Sequence, residues 1–208
     1  MAGCASGPPP TETELGEQAL GRGEWHEARI HFAIALRTHP RDGRAWLGQA
    51  KAQIGERDPE AALESLGSLA EVDPVRFREL GRTAYADALE GAAVGRLNRK
   101  KTPQALEAAR ALKKLDPERA GLDRLLGNAI LAEASRLRRR GQVRPAFALY
   151  QEATRVVPQR LEGWLGAAEI MIESNQGKGA VRFLESARRY HPTSGEIRML
   201  SIQAISSR

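Results

Sequence analysis

The residues able to do chemistry in this 208-residue chain are few, and their spacing decides what they can do. Histidine occurs at His26, His31, His39 and His191. His26 and His31 are five apart, off a common helical face, and His39 and His191 each stand directly before a proline. None has a cysteine or a paired carboxylate at ligand spacing, so no zinc site is expected. The single cysteine, Cys4, excludes an internal disulfide and any cysteine-based metal centre. The sequence holds no phosphate loop, nucleophile elbow or zinc helix. A protein without catalysis, metal or cofactor is expected.

Positive charge is the one chemical concentration. Arg96, Arg99, Lys100 and Lys101 fall in Gly95–Lys101, and Arg136, Arg138, Arg139, Arg140 and Arg144 fall in and just after Ser135–Gly141. If the two segments lie side by side, nine cations share one tip, against a net charge of +6 for the whole chain. The remainder is then near neutral or slightly acidic. Such a tip fits an acidic protein, anionic lipid headgroups or nucleic acid. A solvated helix C-terminus also favours cations, but that accounts for a few of them. Nucleic acid is disfavoured, because no aromatic residues interleave with the charges to stack on bases.

The elements that carry these residues read as helices. Alanine and leucine are abundant, β-branched residues sparse and aromatics only 5%, a bias toward helix. Nowhere are there eighteen consecutive apolar residues, so no membrane-spanning helix is expected. In Gly23–Pro40, Ala28, Phe32 and Ala35 share one helical face, a ring flanked by two small residues. Pro40 closes the segment, and Pro74, Pro117, Pro158 and Pro192 recur at intervals of 34, 43, 41 and 34. Twelve residues before each proline stand Ala28, Ala62, Ala105, Ala146 and Ala180, all alanine. Eight before stand Phe32, Leu66, Ala109, Tyr150 and Leu184. The first halves agree as well: the eighth position is always small, at Gly16, Ala50, Ala84, Gly127 and Ala168. Trp-Leu-Gly-x-Ala recurs at Trp46–Ala50 and Trp164–Ala168.

This pattern resembles the tetratricopeptide repeat, which pairs Trp, Leu-Gly and Tyr on one helix with Ala, Phe, Ala and Pro on the next. The resemblance implies an all-α, right-handed superhelical solenoid of five helix pairs plus a C-terminal capping helix. The repeats fall at about 9–42, 43–76, 77–119, 120–160 and 161–194. A solvating cap follows at about 195–206, and residues 1–8 form a tether. The third and fourth units exceed the 34-residue period by nine and seven residues, which predicts elongated first helices ending in the two basic segments. Each unit buries small residues where its helices approach and large ones against the next pair.

In this family the first helices line a concave groove. Carried over, the resemblance implies a peptide-binding surface of Leu47, Lys51, Ile54 and Tyr85, then Arg124, Asn128 and Leu131, then Leu165, Glu169 and Ile172, continued by Met199 and Gln203. Exposed leucine and isoleucine would mark a surface that a partner covers, and such a groove suits an amphipathic helix or extended peptide. A clamp for a C-terminal carboxylate is not expected. Lys51, Arg124 and Asn128 are scattered, and Glu17 and Glu169 hold equivalent places with the wrong charge. Met1–Pro10 resembles the end of a bacterial lipoprotein signal, with Ala2-Gly3 before Cys4, although Met1 stands where that pattern wants leucine. The more specific expectation is a chain tethered through a lipidated Cys4 at the bacterial periplasmic or outer-membrane face, otherwise cytoplasmic. Small lipoproteins of this repeat type that assist pilus secretins are similar in size and repeat number. The expected partner is a protein or peptide, with membrane contact through Cys4 or the basic tip.

Overall fold

The computed structural model describes residues 9–206, and the expected tether with Cys4 lies outside them. The described residues form eleven helices and no strand, an all-α helical solenoid of successive antiparallel pairs. In order these are α1 (Glu12–Arg22), α2 (Trp25–Thr38), α3 (Gly43–Gly55), α4 (Pro59–Val72), α5 (74–98), α6 (Thr102–Leu115), α7 (Leu122–Arg139), α8 (Val143–Val156), α9 (Leu161–Glu173), α10 (Gly177–Ala187) and α11 (Gly195–Ser206). The chain divides into two compact units, one up to Ala92 and one from Ala93 onward, the division falling inside α5. In the first, α1 packs on α2 and α3, α2 on α3, α3 on α4, and α4 on the opening turns of α5. In the second, each of α6 to α10 packs on its successor, and α9 also packs on α11.

Local chemistry sets the helix starts. Thr11 and Glu14 form a reciprocal capping box at α1, the Glu14 amide donating to Thr11 Oγ1 and the Thr11 amide to Glu14 Oε2. Asp42, Asp58 and Asp73 accept backbone amides at the starts of α3, α4 and α5. Four of the five repeating prolines sit in turns between pairs. Pro74 instead occupies the first position of α5 directly after its Asp73 cap, where a missing N–H costs nothing. A π-helical turn, Phe77–Gly81, follows within the same helix.

The turn inside each pair repeats more faithfully than its residues do. Gly23, Arg57, Lys100, Gly141 and Asn175 all adopt the left-handed conformation, with φ of 74°, 62°, 57°, 72° and 57°. They recur at the same 34, 43, 41 and 34 intervals as the prolines. The next amide in each case reaches back to the carbonyl five residues earlier: Glu24 to Ala19, Asp58 to Gln53, Lys101 to Arg96, Gln142 to Leu137, and Gln176 to Met171. These are Schellman closures of the first helix. Asn175 suits this conformation nearly as glycine does, but Arg57 and Lys100 do not, so five closures of one geometry override residue preference at two sites.

Packing follows the small–large alternation. The Phe32 ring is fully buried between Gly16 of α1 and Gly48 of α3. A Cβ added at Gly16 would stand 2.8 Å from the ring, and one at Gly48 closer still. Tyr150 of α8 fits against Gly166 of α9 in the same way, with 2.6 Å to an added Cβ. The two repeated tryptophans share a role. The indole N–H of Trp46 donates to the Pro40 carbonyl at 2.8 Å, and that of Trp164 to the Pro158 carbonyl at 2.9 Å. Each fastens the turn that ends one pair to the helix that opens the next. The two long first helices are present: α7 has 18 residues where α9 has 13, and α5 runs on to Asn98.

Candidate functional site

Four of the ten expected groove residues lie in the first unit and six in the second, and each set belongs to its own unit. In the first, Lys51 is exposed while Ile54 and Tyr85 are half-buried. Tyr85 meets Phe77 edge-on with ring centroids 5.6 Å apart. Leu47 is only 6% exposed, packed with Ala50, Leu66 and Ala84. In the second, Leu131 and Ile172 are each 7% exposed, Ile172 lying against Ala180 and Ala204. This corrects the expectation for Leu47, Leu131 and Ile172: their side chains are spent on helix–helix packing. Arg124 is exposed, but Asn128 is engaged, its Oδ1 accepting from Arg160 at 2.9 Å while Arg160 also pairs with Glu162.

What remains open converges at the C-terminal end of the second unit. Leu165 and Glu169 of α9 face Met199, Leu200, Ile202 and Gln203 of α11 across a trough of about 690 Å³. Met199, Ile202 and Ile205 are 69%, 60% and 59% exposed. The solvating cap expected from the sequence is therefore corrected: Ser194 caps α11 as a terminal helix should be capped, but its outward ridge is apolar. Ile202 holds the eighth position of its unit, small in the five complete pairs because a second helix lies against it there. α11 has no such second helix among the described residues, and the larger side chain stands in the open.

The basic tip divides in the structure. The Thr102 hydroxyl donates to Glu133 Oε2 at 2.6 Å, and Arg136 forks onto the same carboxylate at 2.7 and 2.6 Å. Glu133, a buried residue of α7, thus ties the turn after α5 to the end of α7 and holds the two basic segments together. Arg138 turns away from the tip and grips Glu169 and Glu173 of α9, reaching the wall of the trough. Arg96 donates to the Gln104 carbonyl. The expectation of nine solvent-facing charges is corrected to six: Arg99, Lys100, Lys101, Arg139, Arg140 and Arg144 are exposed and form no close ion pair among the described residues, with Arg140 acting on Glu133 at longer range.

The fork from Arg136, with the Thr102 hydroxyl, holds the Glu133 carboxyl below the ordinary carboxylate range against the opposing cost of burial. A carboxyl depressed in the folded state contributes stability above its unfolded pKa, near ~4.3, and loses it as pH falls through the lower folded value. Glu133→Gln is expected to cost about 1–3 kcal/mol at neutral pH and to flatten the loss of stability below pH ~4.3. Urea melts of both proteins from neutral to acid pH check this; parallel curves would show that Glu133 does not carry the acid response.

Three of the four histidine side chains have partners in the fold. His26 Nδ1 lies 2.9 Å from Glu56, His31 Nδ1 lies 2.7 Å from Glu12, and His191 Nε2 lies 3.3 Å from the Pro158 carbonyl. Among the described residues no three of His, Cys, Asp and Glu are grouped to hold a metal ion, and no helix is long and apolar enough to cross a membrane. The Arg138 clasp was not anticipated from sequence. Its signal is the acidic pair Glu169 and Glu173, four residues apart on one face of α9.

No protein-family model matches the chain, and no curated protein is significantly similar to it. Solved structures are similar in fold. A TPR repeats protein from Bacteroides fragilis superposes with a TM-score of 0.63 at 15% identity, over 94% of this chain and 96% of that one. A thermophilic TPR protein of Thermus thermophilus gives 0.38 at 20% identity, covering 94% and 97%. MamA from Desulfovibrio magneticus gives 0.42 at 16% identity, covering 88% and 95%. The first of these likenesses shows a tetratricopeptide-repeat fold.

Proposed function

We propose that this chain is a non-catalytic scaffold that binds a helical or extended segment of another protein in the trough between α9 and α11. The observation that carries the reading is the convergence of Leu165, Glu169, Met199 and Gln203 on one open, mostly apolar surface. Met199 and Ile202 of α11 stand more than half exposed there, which costs solubility unless a partner covers them. An apolar helical segment fits such a surface. The Arg138 clasp on Glu169 and Glu173 stiffens the α9 wall, so the surface is formed in advance. The finer version adds a tether through Cys4 and a partner in an envelope complex such as a pilus secretin. It rests on the residues around Cys4 and on the size and repeat number of the chain.

The test uses Met199→Asp with Ile202→Asp. Both sites are exposed, so thermal unfolding is expected to shift little. Quantitative co-purification from the native cells should show a defined protein retained by the wild type, depleted at least tenfold by the double variant, and unaffected by Arg139→Glu with Arg140→Glu. Equal recovery with and without the aspartates would overturn the reading. Loss with the arginine reversals alone would move the function to the basic tip.

A further inference from the structure

A second surface of the C-terminal unit lies on its other helices. α6 and α8 form the walls of a trough of about 790 Å³ whose floor is Leu137 and Glu133 of α7. Leu106 and Leu137 are buried beneath it, and its open apolar surface is Ala111, Ala148 and Leu149, with Pro103 and Pro145 exposed at one end. Arg110 and Glu152 pair across it at 2.6 Å, and Lys114 and Glu107 on the rim offset one another, so the long sides carry no net charge. The end is different. Pro103 follows Lys101 by two residues, and Pro145 follows Arg144 directly. The trough therefore opens between the two basic turns, whose six exposed cations form no close ion pair among the described residues, with Arg140 acting on Glu133 at longer range. The Thr102–Glu133–Arg136 network fixes both turns against the floor, and Schellman closures at Lys100 and Gly141 hold their backbones. Uncompensated charge and open apolar surface are thus held side by side on one rigid framework.

We infer that this is a docking site for an amphipathic helix of a protein partner that ends in a cluster of Asp or Glu. Its apolar face would lie along α6 and α8, each 14 residues or about 21 Å long. Its acidic end would meet Lys101, Arg139, Arg140 and Arg144. Charge complementarity selects such a segment over a neutral one and fixes its direction, since only one end of the trough is basic. Concavity favours a protein segment over a lipid surface: a planar array of headgroups reaches the cations but does not follow the trough between α6 and α8 down to Leu149 and Ala111. The site shares no residue with the α9–α11 trough, so the scaffold holds two partners, or two segments of one.

The probe is a synthetic peptide of about 20 residues, long enough to span the helices at ~1.5 Å per residue, with leucine along one face and a terminal run of glutamates. It is made with the glutamates at either end. A control keeps the charge and replaces leucine by glutamine. Fluorescence anisotropy against the full chain should show one of the leucine peptides binding at least tenfold more tightly than the control. Arg139→Glu with Arg140→Glu and, separately, Ala148→Glu should each weaken it at least tenfold; Met199→Asp with Ile202→Asp should leave it unchanged. Ala148 is exposed, so a charge there changes the trough and not the core. Equal binding of the control, or indifference to Ala148→Glu, would reduce the site to non-specific attraction of polyanions and overturn the inference. So would the absence of peptide binding below millimolar concentration. Vesicles of phosphatidylserine that bind with the same arginine dependence, while the peptides do not, would overturn it in favour of a membrane surface at the tip.

Discussion

Truncating Phe32 to alanine is expected to lower the stability of the N-terminal unit by about 3–5 kcal/mol, the range for removing a buried ring. Phe32 is fully buried and wedged between two glycines on different helices, so the space it leaves is walled by backbone. Backbone relaxes into a cavity less readily than flexible side chains do, which places the expected cost at the upper end. The converse change, Gly48→Ala, is expected to cost about 1–3 kcal/mol because a methyl group meets the ring and neither helix can withdraw without losing its own partners. Urea melts at neutral pH measure both. If either change left the midpoint where it is, the pairing of ring and glycine would not be what holds α1, α2 and α3 together.

The second large effect is expected at Trp164. Its ring lies 5.0 Å from that of Phe183 and 6.0 Å from that of Tyr190, and its indole N–H holds the Pro158 carbonyl. Trp164→Ala is expected to cost about 3–5 kcal/mol, whereas Trp164→Phe keeps most of the packing and should cost about 1 kcal/mol for the lost hydrogen bond and edge contacts. Similar losses for the two variants would put the stabilisation in the N–H bond to the turn. A negligible loss for Trp164→Ala would contradict the account of the α8–α9 turn.

Both expectations come from features that were legible in the sequence, for a common reason. A repeat fold is held by contacts between neighbours in the chain, so the small–large complementarity of Phe32 with Gly48, or Tyr150 with Gly166, recurs at a fixed spacing. The long first helices were legible too, because an insertion between two recurring registers has to lengthen what lies between them. Three things were not. Whether Leu47, Leu131 and Ile172 face outward depends on how far each first helix is rotated against its neighbours, and a position carried from a family pattern does not fix that rotation. The division of the basic tip depended on where individual arginines find carboxylates: Arg136 on Glu133, and Arg138 on Glu169 and Glu173. The α6–α8 trough is lined by residues about forty positions apart whose spacing follows no single helical face. In the left-handed turn residues, Arg57 and Lys100 carry no glycine or asparagine signal, and only the recurrence of the turn shows what they must do.

The proposed function requires a protein segment to sit on the α9–α11 trough. Methyl NMR of the chain, titrated with the protein recovered by co-purification, tests it most directly. Met199, Ile202 and Ile205 are exposed methyl probes on α11, and Ile30, 45% exposed on α2, is an internal control in the other unit. The Met199 and Ile202 methyls are expected to shift or broaden in proportion to bound partner while Ile30 stays fixed. An unperturbed Met199 and Ile202 at saturation would contradict it.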